Sequence, residues 1–147
     1  VTIVDLPGQL EMARANMAWA GERCHYAQAN VLSDAAWPTG ASVVWMSQFL
    51  DCFSEEEVIS ILKRAAEAMS EGSRLYIMET FWDRQRFETA SYVLAQTSIY
   101  FTALANGNSK MYYSEDMIRC VKAAGLEVEE IYDGLGLGHS LMQCKLR

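Results

Sequence analysis

Acidic side chains come at or just after the ends of three predicted strands, where a carboxylate can do chemistry. Asp5 ends VTIVD, Asp51 follows the apolar run WMSQFL, and Glu79 ends RLYIME. In an open α/β sheet, ligands bind at the carboxyl ends of the strands. A carboxylate there can accept hydrogen bonds from the paired hydroxyls of a ribose, or it can accept a proton. The alternative is structural: Asp5 caps the next helix, and Glu79 only ends a buried strand.

Three glutamates follow Asp51 and have a simpler explanation. Ser54 and Glu57 have the S-x-x-E spacing of a capping box, which satisfies free N–H groups at a helix start. Acidic side chains in a first helical turn are also favoured by the helix dipole. We therefore interpret the glutamates as the start of a helix, and Asp51, which precedes the cap, as the candidate functional acid.

The two histidines and the glycine-rich segment give weak signals for chemistry. His25 lies at a predicted strand start, and His139 follows GLGLG at 134–138. Neither histidine is paired with a Ser or Cys that would suggest a catalytic triad. The glycines do not open a helix, as a phosphate-binding loop must, so we interpret them as a turn and both histidines as structural.

The elements that must position these acids alternate between strand and helix. Apolar periodicity and turn residues predict strands at 1–6, 24–32, 42–50 and 74–79, and helices from Pro7 to about Ala20 and from Ser54 to about Glu71. Strand 42–50 is apolar nearly throughout, which predicts burial on both faces. Helices at 87–105, broken by Asn106-Gly107-Asn108, and at 114–124, capped by Ser114, precede two last strands at 126–132 and 140–146. This order predicts an α/β fold with a doubly wound, mostly parallel sheet.

Aromatic side chains are concentrated after the fourth strand. Core packing is their default role, but pockets for flat organic ligands are lined in the same way. The set comprises Phe81, Trp82, Phe87, Tyr92, Tyr100, Phe101, Tyr112 and Tyr113. Because the set follows a strand that ends in an acid, the wall of a substrate pocket is the alternative role.

Composition excludes several classes of function. The net charge of −7 and scattered basic residues argue against a nucleic-acid partner. The four cysteines lack metal-ligand spacing, so we expect no metal site and reduced thiols in a cytoplasmic protein. No apolar run is long enough for a membrane span and no signal peptide is visible. The 147 residues suffice for one domain.

The ordered motifs resemble a known family along nearly the whole chain. VDLP, a strand ending in N-V-L, then VVWMSQFLDCFSEEEV and RLYIME are similar to class I S-adenosylmethionine-dependent small-molecule O-methyltransferases. This group includes plant phenolic, acetylserotonin and bacterial polyketide methyltransferases. The resemblance implies a Rossmann-like sheet with an antiparallel last strand, S-adenosylmethionine as cofactor and a small-molecule methyl acceptor. It also implies that residues 1–147 are the C-terminal part of a longer protein, whose first strand, glycine-rich loop, helix and dimerisation region lie upstream.

The same resemblance implies roles for particular residues on the cofactor side. Asp5, followed by Leu6, matches the acid that binds the ribose. Asn30 and Val31 occupy the place of an Asp-aliphatic pair on the adenine side, so an amide replaces an acid there. Ser47 follows Met46 where the family often has a basic residue.

On the acceptor side, the family motif His-Asp-Trp-Ser-Asp-Glu matches residues 51–56, so Asp51 replaces the general-base histidine. Glu79 matches a family glutamate that orients this histidine. A second orienting glutamate of the family aligns near Tyr112 of this sequence. An unperturbed aspartate is a weaker base than histidine by about 3 kcal/mol, or roughly two orders of magnitude in rate. Burial or the neighbouring Glu79 could recover part of this difference by raising the pKa of Asp51.

Three hypotheses follow: a methyltransferase with Asp51 as base or orienting group, one whose acidic or amine acceptor needs no strong base, and a binding module without catalysis. A dehydrogenase-type dinucleotide domain also explains Asp5 but fits the last helix and strands poorly.

Overall fold

The computed structural model describes residues 1–33, 36–105 and 107–147, which form two compact units, Val1–Thr39 and Gly40–Arg147. Asn106, part of the predicted helix break, lies outside the described residues, as do two residues of the loop predicted after Leu32. None of the described helices is both long and apolar enough to cross a membrane.

The first unit is a small strand–helix–strand arrangement. Strands β1 (Thr2–Asp5) and β2 (His25–Gln28) pair in parallel, with Asp5 opposite Gln28. Helix α1 (Pro7–Asn16) is shorter than predicted, because the chain tightens into a 3₁₀ turn over Ala18–Arg23. Only Leu10 of α1 is buried, so little packing supports a longer helix.

The second unit is built on a four-stranded sheet. Strand β3 pairs in parallel with β4, and β6 lies antiparallel between β4 and β5. The strands are β3 (Ala41–Ser47), β4 (Met69–Glu79), β5 (Leu126–Leu135) and β6 (His139–Leu146); the helices are α2 (Glu55–Ala68), α3 (Glu88–Tyr100) and α4 (Ser114–Ala123). The parallel early strands and the antiparallel last strand confirm the predicted fold class.

Helix α2 begins and packs as its sequence predicts. The Ser54 backbone N–H donates to the Glu57 carboxylate at 2.9 Å, and the Glu57 N–H donates to the Ser54 hydroxyl at 3.3 Å, which completes the capping box. The buried face of α2 comprises Val58, Ile61, Leu62, Ala65 and Ala68. Burial of this face anchors the segment that leads from β3 into the helix.

Two expectations about the second unit are wrong. Strand β3 is not buried on both faces: Met46 is buried, but Val43 and Trp45 are 51% and 55% exposed, because successive side chains alternate between the faces of a strand. Ser114 does not cap α4. Its N–H and hydroxyl instead donate to the Asp83 carboxylate at 2.8 and 2.5 Å, so the start of α4 is satisfied from a distant segment.

Candidate active site

The carboxyl ends of β3 and β4 and the start of β6 meet at one edge of the four-stranded sheet. Ser47 lies opposite Met78, and Glu79 lies opposite Ser140. The Gln48 N–H extends this pairing by donating to the Met78 carbonyl at 2.8 Å. Since β6 is antiparallel to β4, its first residue, His139, reaches the same edge.

Glu79 is the buried acid of this edge. Its side chain is 2% exposed, and Oε1 accepts hydrogen bonds from the Phe49 and Leu50 N–H groups, both at 2.9 Å. Its Oε2 has no hydrogen-bond partner within the described residues. Burial is the main cause that raises the pKa of Glu79 to about 7, and the charge of Asp51 raises it further. The hydrogen bonds from backbone N–H groups lower this pKa, but by less. Near neutral pH, Glu79 therefore holds a proton for much of the time.

Asp51 sits in the short 3₁₀ turn Leu50–Cys52 that the Glu79 carboxyl holds in place. Its backbone carbonyl accepts a hydrogen bond from the backbone N–H of Lys110 at 2.9 Å, and its Oδ1 accepts one from the Cys52 thiol at 3.6 Å. Burial raises the pKa of the Asp51 carboxyl above its ordinary value, although the Cys52 hydrogen bond opposes the change. The environment thus makes Asp51 a stronger base, as the sequence suggested, and burial is the main cause.

Gln48 and His139 form a contact that sequence reasoning missed. The Gln48 Nε2 lies 2.7 Å from the His139 Nε2, across 91 positions of sequence. Gln48 is also the only non-glycine among the described residues with a positive φ, 44°. No local pattern signals such a pair, because it depends on β3 and β6 flanking the same strand.

An apolar recess of about 500 Å³ lies beside this edge. Thr80 continues β4 into its wall, and the segment before α3, α3 itself and the turn before β6 supply the rest. The lining residues are Thr80, Gln85, Phe87, Thr89, Ala90, Val93, Leu94 and Leu137. Of the predicted aromatic wall, only Phe87 lines the recess. Phe81 and Tyr112 are buried in the core, where the Tyr112 hydroxyl donates to the Phe53 carbonyl at 2.6 Å.

The first unit brings Asp5 and Asn30 to the same end of its two strands. The Asp5 carbonyl accepts the Ala29 N–H at 3.1 Å, which holds the segment before Asn30 beside β1. Asp5 Oδ1 accepts the Leu6 N–H at 2.7 Å, and Asn30 Oδ1 accepts the Leu32 N–H at 2.9 Å. Asp5 does not act as the N-cap of α1, because that position belongs to Leu6.

The remaining predicted cofactor residues are placed as follows. Val31 follows Asn30 in the turn after β2 and is half-buried. Ser47 ends β3 in the second unit, at the edge that carries Glu79. Among the described residues, no three His, Cys, Asp or Glu side chains are grouped so that they could hold a metal ion.

No protein-family model matches the chain, and neither does any curated protein sequence. Solved structures do match it. Mitomycin 7-O-methyltransferase MmcR is similar over 99% of this chain and 41% of its own, with a TM-score of 0.82 and 21% identity. The S-adenosylmethionine-dependent methyltransferase SibL matches 99% of this chain and 43% of its own, with a TM-score of 0.80 and 26% identity.

A third similar structure was solved with ligands. The O-methyltransferase NcsB1, from neocarzinostatin biosynthesis, was in complex with S-adenosyl-L-homocysteine and 1,4-dihydroxy-2-naphthoic acid. It matches 99% of this chain and 42% of its own, with a TM-score of 0.82 and 19% identity. The chain thus spans less than half the length of these proteins, and over that span it has the α/β fold of S-adenosylmethionine-dependent O-methyltransferases.

Proposed function

We propose that this chain is the C-terminal part of an S-adenosylmethionine-dependent methyltransferase, and that residues 1–147 form part of its catalytic domain. The proposed acceptor is a small aromatic or hydrophobic molecule that bears a hydroxyl group. The observation that carries the proposal is the fold match over 99% of the chain to methyltransferases of this type. The acids at the sheet edge beside an apolar recess support it.

The residues at the end of the first unit fit the cofactor. S-adenosylmethionine supplies an activated methyl group on a sulfonium. Because Leu6 occupies only one oxygen of Asp5, the other can accept a ribose hydroxyl. The side-chain oxygen of Asn30 accepts the Leu32 N–H, so the side-chain NH₂ group can donate to the adenine ring. Leu6 and Val31 are further proposed cofactor residues of the first unit, and Ser47 is a proposed cofactor residue of the second unit.

Asp51 and Glu79 are the proposed catalytic acids on the acceptor side. Glu79 fixes the backbone of residues 49 and 50, and so orients the turn that presents Asp51. The raised pKa of Asp51 makes it more able to accept a proton, and a fixed acid can also orient the acceptor hydroxyl. The roles of base and orienting group therefore both remain available to Asp51.

A binding module without catalysis is the second candidate, because position 51 lacks the general-base histidine of the resembled motif. An acid replaces the histidine that the resembled motif places there, and the buried, often protonated Glu79 stabilises this loop without any reaction. A dinucleotide-binding domain is a weaker alternative, because the matched structures are methyltransferases.

The function is tested first by calorimetry on the full-length protein with S-adenosylmethionine and with NAD. We expect binding of S-adenosylmethionine only; binding of NAD alone would refute the proposal. Transfer of a labelled methyl group to phenols and hydroxynaphthoic acids then separates an enzyme from a binding module.

The Asp51→Asn substitution tests the role of the acid once an acceptor is known. Asparagine keeps the shape of the side chain but cannot take a proton. We expect a loss of turnover of about 100-fold if Asp51 is the base and a much smaller loss if it only orients the acceptor. Unchanged turnover would remove Asp51 from the mechanism, and unchanged S-adenosylmethionine binding serves as the control for folding.

Partners and compartment belong to the same proposal. The proposed partner is a small-molecule acceptor, without nucleic acid, membrane or resident metal. Exposed apolar side chains on and around α3, including Tyr92, Ile99 and Tyr100, are consistent with a homodimer formed with the upstream region. The cytoplasm is the proposed compartment, and all four cysteines are free thiols in the structure, as reduced conditions require.

A further inference from the structure

His139 lies at the sheet edge that carries the proposed catalytic acids, although it is distant from both in sequence. It begins β6, and the next residue, Ser140, pairs directly with Glu79. The residue is half-buried. The antiparallel pairing of β6 with β4 therefore places the His139 imidazole at this edge. Imidazole is the side-chain group best suited to proton transfer near neutral pH.

Gln48 holds the His139 ring from the opposite side of β4. The two side chains meet at 2.7 Å, and the Gln48 backbone has a φ of 44° with its N–H bonded to Met78. A non-glycine residue in this region is uncommon, and it persists only where its surroundings fix it. Such residues are concentrated at functional sites, so the conformation of Gln48 is a second sign of function at this edge.

The pair can hold its hydrogen bond in either protonation state of the histidine. An amide nitrogen only donates, so in the arrangement observed the His139 Nε2 accepts and the ring proton lies on Nδ1. A half-turn of the Gln48 amide presents its carbonyl oxygen, which accepts an N–H from Nε2. In that arrangement Nδ1 has a free lone pair in the neutral ring and carries a proton in the imidazolium.

The Nδ1 side of the ring faces a glycine turn beside the apolar recess. A Cβ at Gly136 would lie 4.0 Å from Nδ1, so the glycine turn lies next to this nitrogen. The next residue, Leu137, lines the recess. Gln85, another lining residue, fixes the turn by donating to the Gly138 carbonyl at 2.9 Å. The turn that faces Nδ1 therefore reaches the space where we place the acceptor.

We propose that His139 is a general base for the acceptor hydroxyl and that Gln48 is its positioning residue. This inference rests on the proposed function. The acceptor O–H bond breaks, its proton moves to Nδ1, and the electron pair stays on oxygen. That oxygen forms a bond to the methyl carbon as the carbon–sulfur bond of the sulfonium breaks and its electron pair returns to sulfur. The imidazolium then gives its proton to solvent.

Charged groups lie on the elements that flank His139. Asp51 and Glu79 lie on the β3 and β4 side. On the β5 side, Asp133 accepts hydrogen bonds from Arg84 and from the Ser140 hydroxyl at 2.7 Å, so its charge is largely compensated. With His139 as the base, Asp51 would be an orienting group, and the weakness of an aspartate as a base would not limit the reaction.

The first test compares His139→Gln with His25→Gln in the full-length protein. His25 is the only other histidine of this sequence and lies on the exposed start of β2, which makes it the matched control. The acceptor probes are 2-naphthol, which must lose its proton, and 4-nitrophenol, which is already largely ionised in mildly alkaline buffer. We expect His139→Gln to slow methylation of 2-naphthol by about 100-fold or more and that of 4-nitrophenol far less. Equal losses for both phenols would overturn the assignment.

The second test does not depend on turnover. Histidine ¹⁵N signals, assigned by their loss in each variant, are followed while 2-naphthol is added. We expect the His139 Nδ1 signal to move and the His25 signals to stay, and we expect Gln48→Leu to reduce the movement. Binding of 2-naphthol by calorimetry without any change at His139 would overturn the assignment alone. Failure to bind both S-adenosylmethionine and 2-naphthol would overturn the proposed function, and this inference with it.

Discussion

Glu79 shows how one residue can be both a structural anchor and a source of pH dependence. Its Oε1 fixes two backbone N–H groups, while burial raises its pKa from an ordinary value of 4.5 to about 7. Between these two values the folded protein holds a proton that the unfolded chain has released. The contribution of Glu79 to the free energy of unfolding is therefore fully present below about pH 4.5. It is lost as the pH rises through 7, and the total loss is up to about 3 kcal/mol.

The Glu79→Gln substitution should remove this dependence. Glutamine keeps the oxygen that accepts from Phe49 and Leu50 and cannot lose a proton. We expect the free energy of unfolding of the variant to exceed that of the parent increasingly from pH 5 to pH 8, with a difference of about 3 kcal/mol at most. Urea unfolding at a series of pH values measures it.

Glu129→Gln provides a control of opposite sign. The hydrogen bond from Gln143 is the main cause that lowers the pKa of Glu129, so its contribution to stability is lost as the pH falls. If the pH curves of Glu79→Gln and the parent protein run parallel, Glu79 is not protonated in the folded state near neutral pH.

At the scale of elements, the turn between β5 and β6 depends on one glycine and one glutamine. Gly138 has a φ of 135°, and a Cβ there would overlap Gln85 Oε1. Gln85 cannot move freely, because its Nε2 donates to the Phe81 and Gly138 carbonyls at 2.7 and 2.9 Å. We expect Gly138→Ala to lower the free energy of unfolding by about 2–3 kcal/mol, from lost hydrogen bonds and backbone strain.

A double-mutant cycle with Gln85→Ala checks the cause. The clash and the lost hydrogen bonds both involve the Gln85 side chain. The destabilisation of the double variant should therefore be smaller than the sum of the destabilisations of the two single variants. Gly8→Ala in the first turn of α1, where a Cβ would meet nothing within 4 Å, is the matched control and should be neutral or stabilising. Additive effects would mean that Gln85 does not mediate the effect.

The elements whose features are local in sequence could be predicted, and those that depend on distant contacts could not. Ser54, Glu57 and the apolar spacing of α2 lie within one helix, so its start and buried face were predictable. The start of α4 was not, because Asp83 binds Ser114 across 31 positions.

The same distinction applies to the candidate site. Asp51 and Glu79 were predictable because each ends or follows an apolar strand, and the pairing of β3 with β4 brings those ends together. The contact of His139 with Gln48 was not predictable, because it requires the order β3-β4-β6, which no local pattern encodes. The exposure of Val43 and Trp45 was missed for a related reason, since an apolar run does not reveal what covers each face.

At the scale of the whole molecule, the buried apolar side chains are divided unequally between the two units. Of the 23 identified among the described residues, only Leu10, Ala20, Cys24 and Ala29 belong to Val1–Thr39, and the other 19 belong to Gly40–Arg147. A two-stranded sheet with one helix in about 40 residues buries too little surface to offset the loss of chain entropy. The second unit has a four-stranded sheet with α2 and α4 buried against it.

We therefore expect residues 40–147, expressed alone, to fold, and residues 1–39 to remain unfolded. Circular dichroism during thermal melting should show a cooperative transition for the longer fragment and none for the shorter one. In the intact chain, amide exchange should be slower in β4 and β6 than in β1 and β2, because local opening is easiest where few apolar contacts must break. Slow exchange throughout β1 and β2, or a cooperative transition in the isolated 1–39 fragment, would show that the first unit has stability of its own. Asp5 and Asn30, two of the residues proposed to bind the cofactor, lie on the first unit. Added S-adenosylmethionine should therefore slow exchange most in that unit if the proposed function is right.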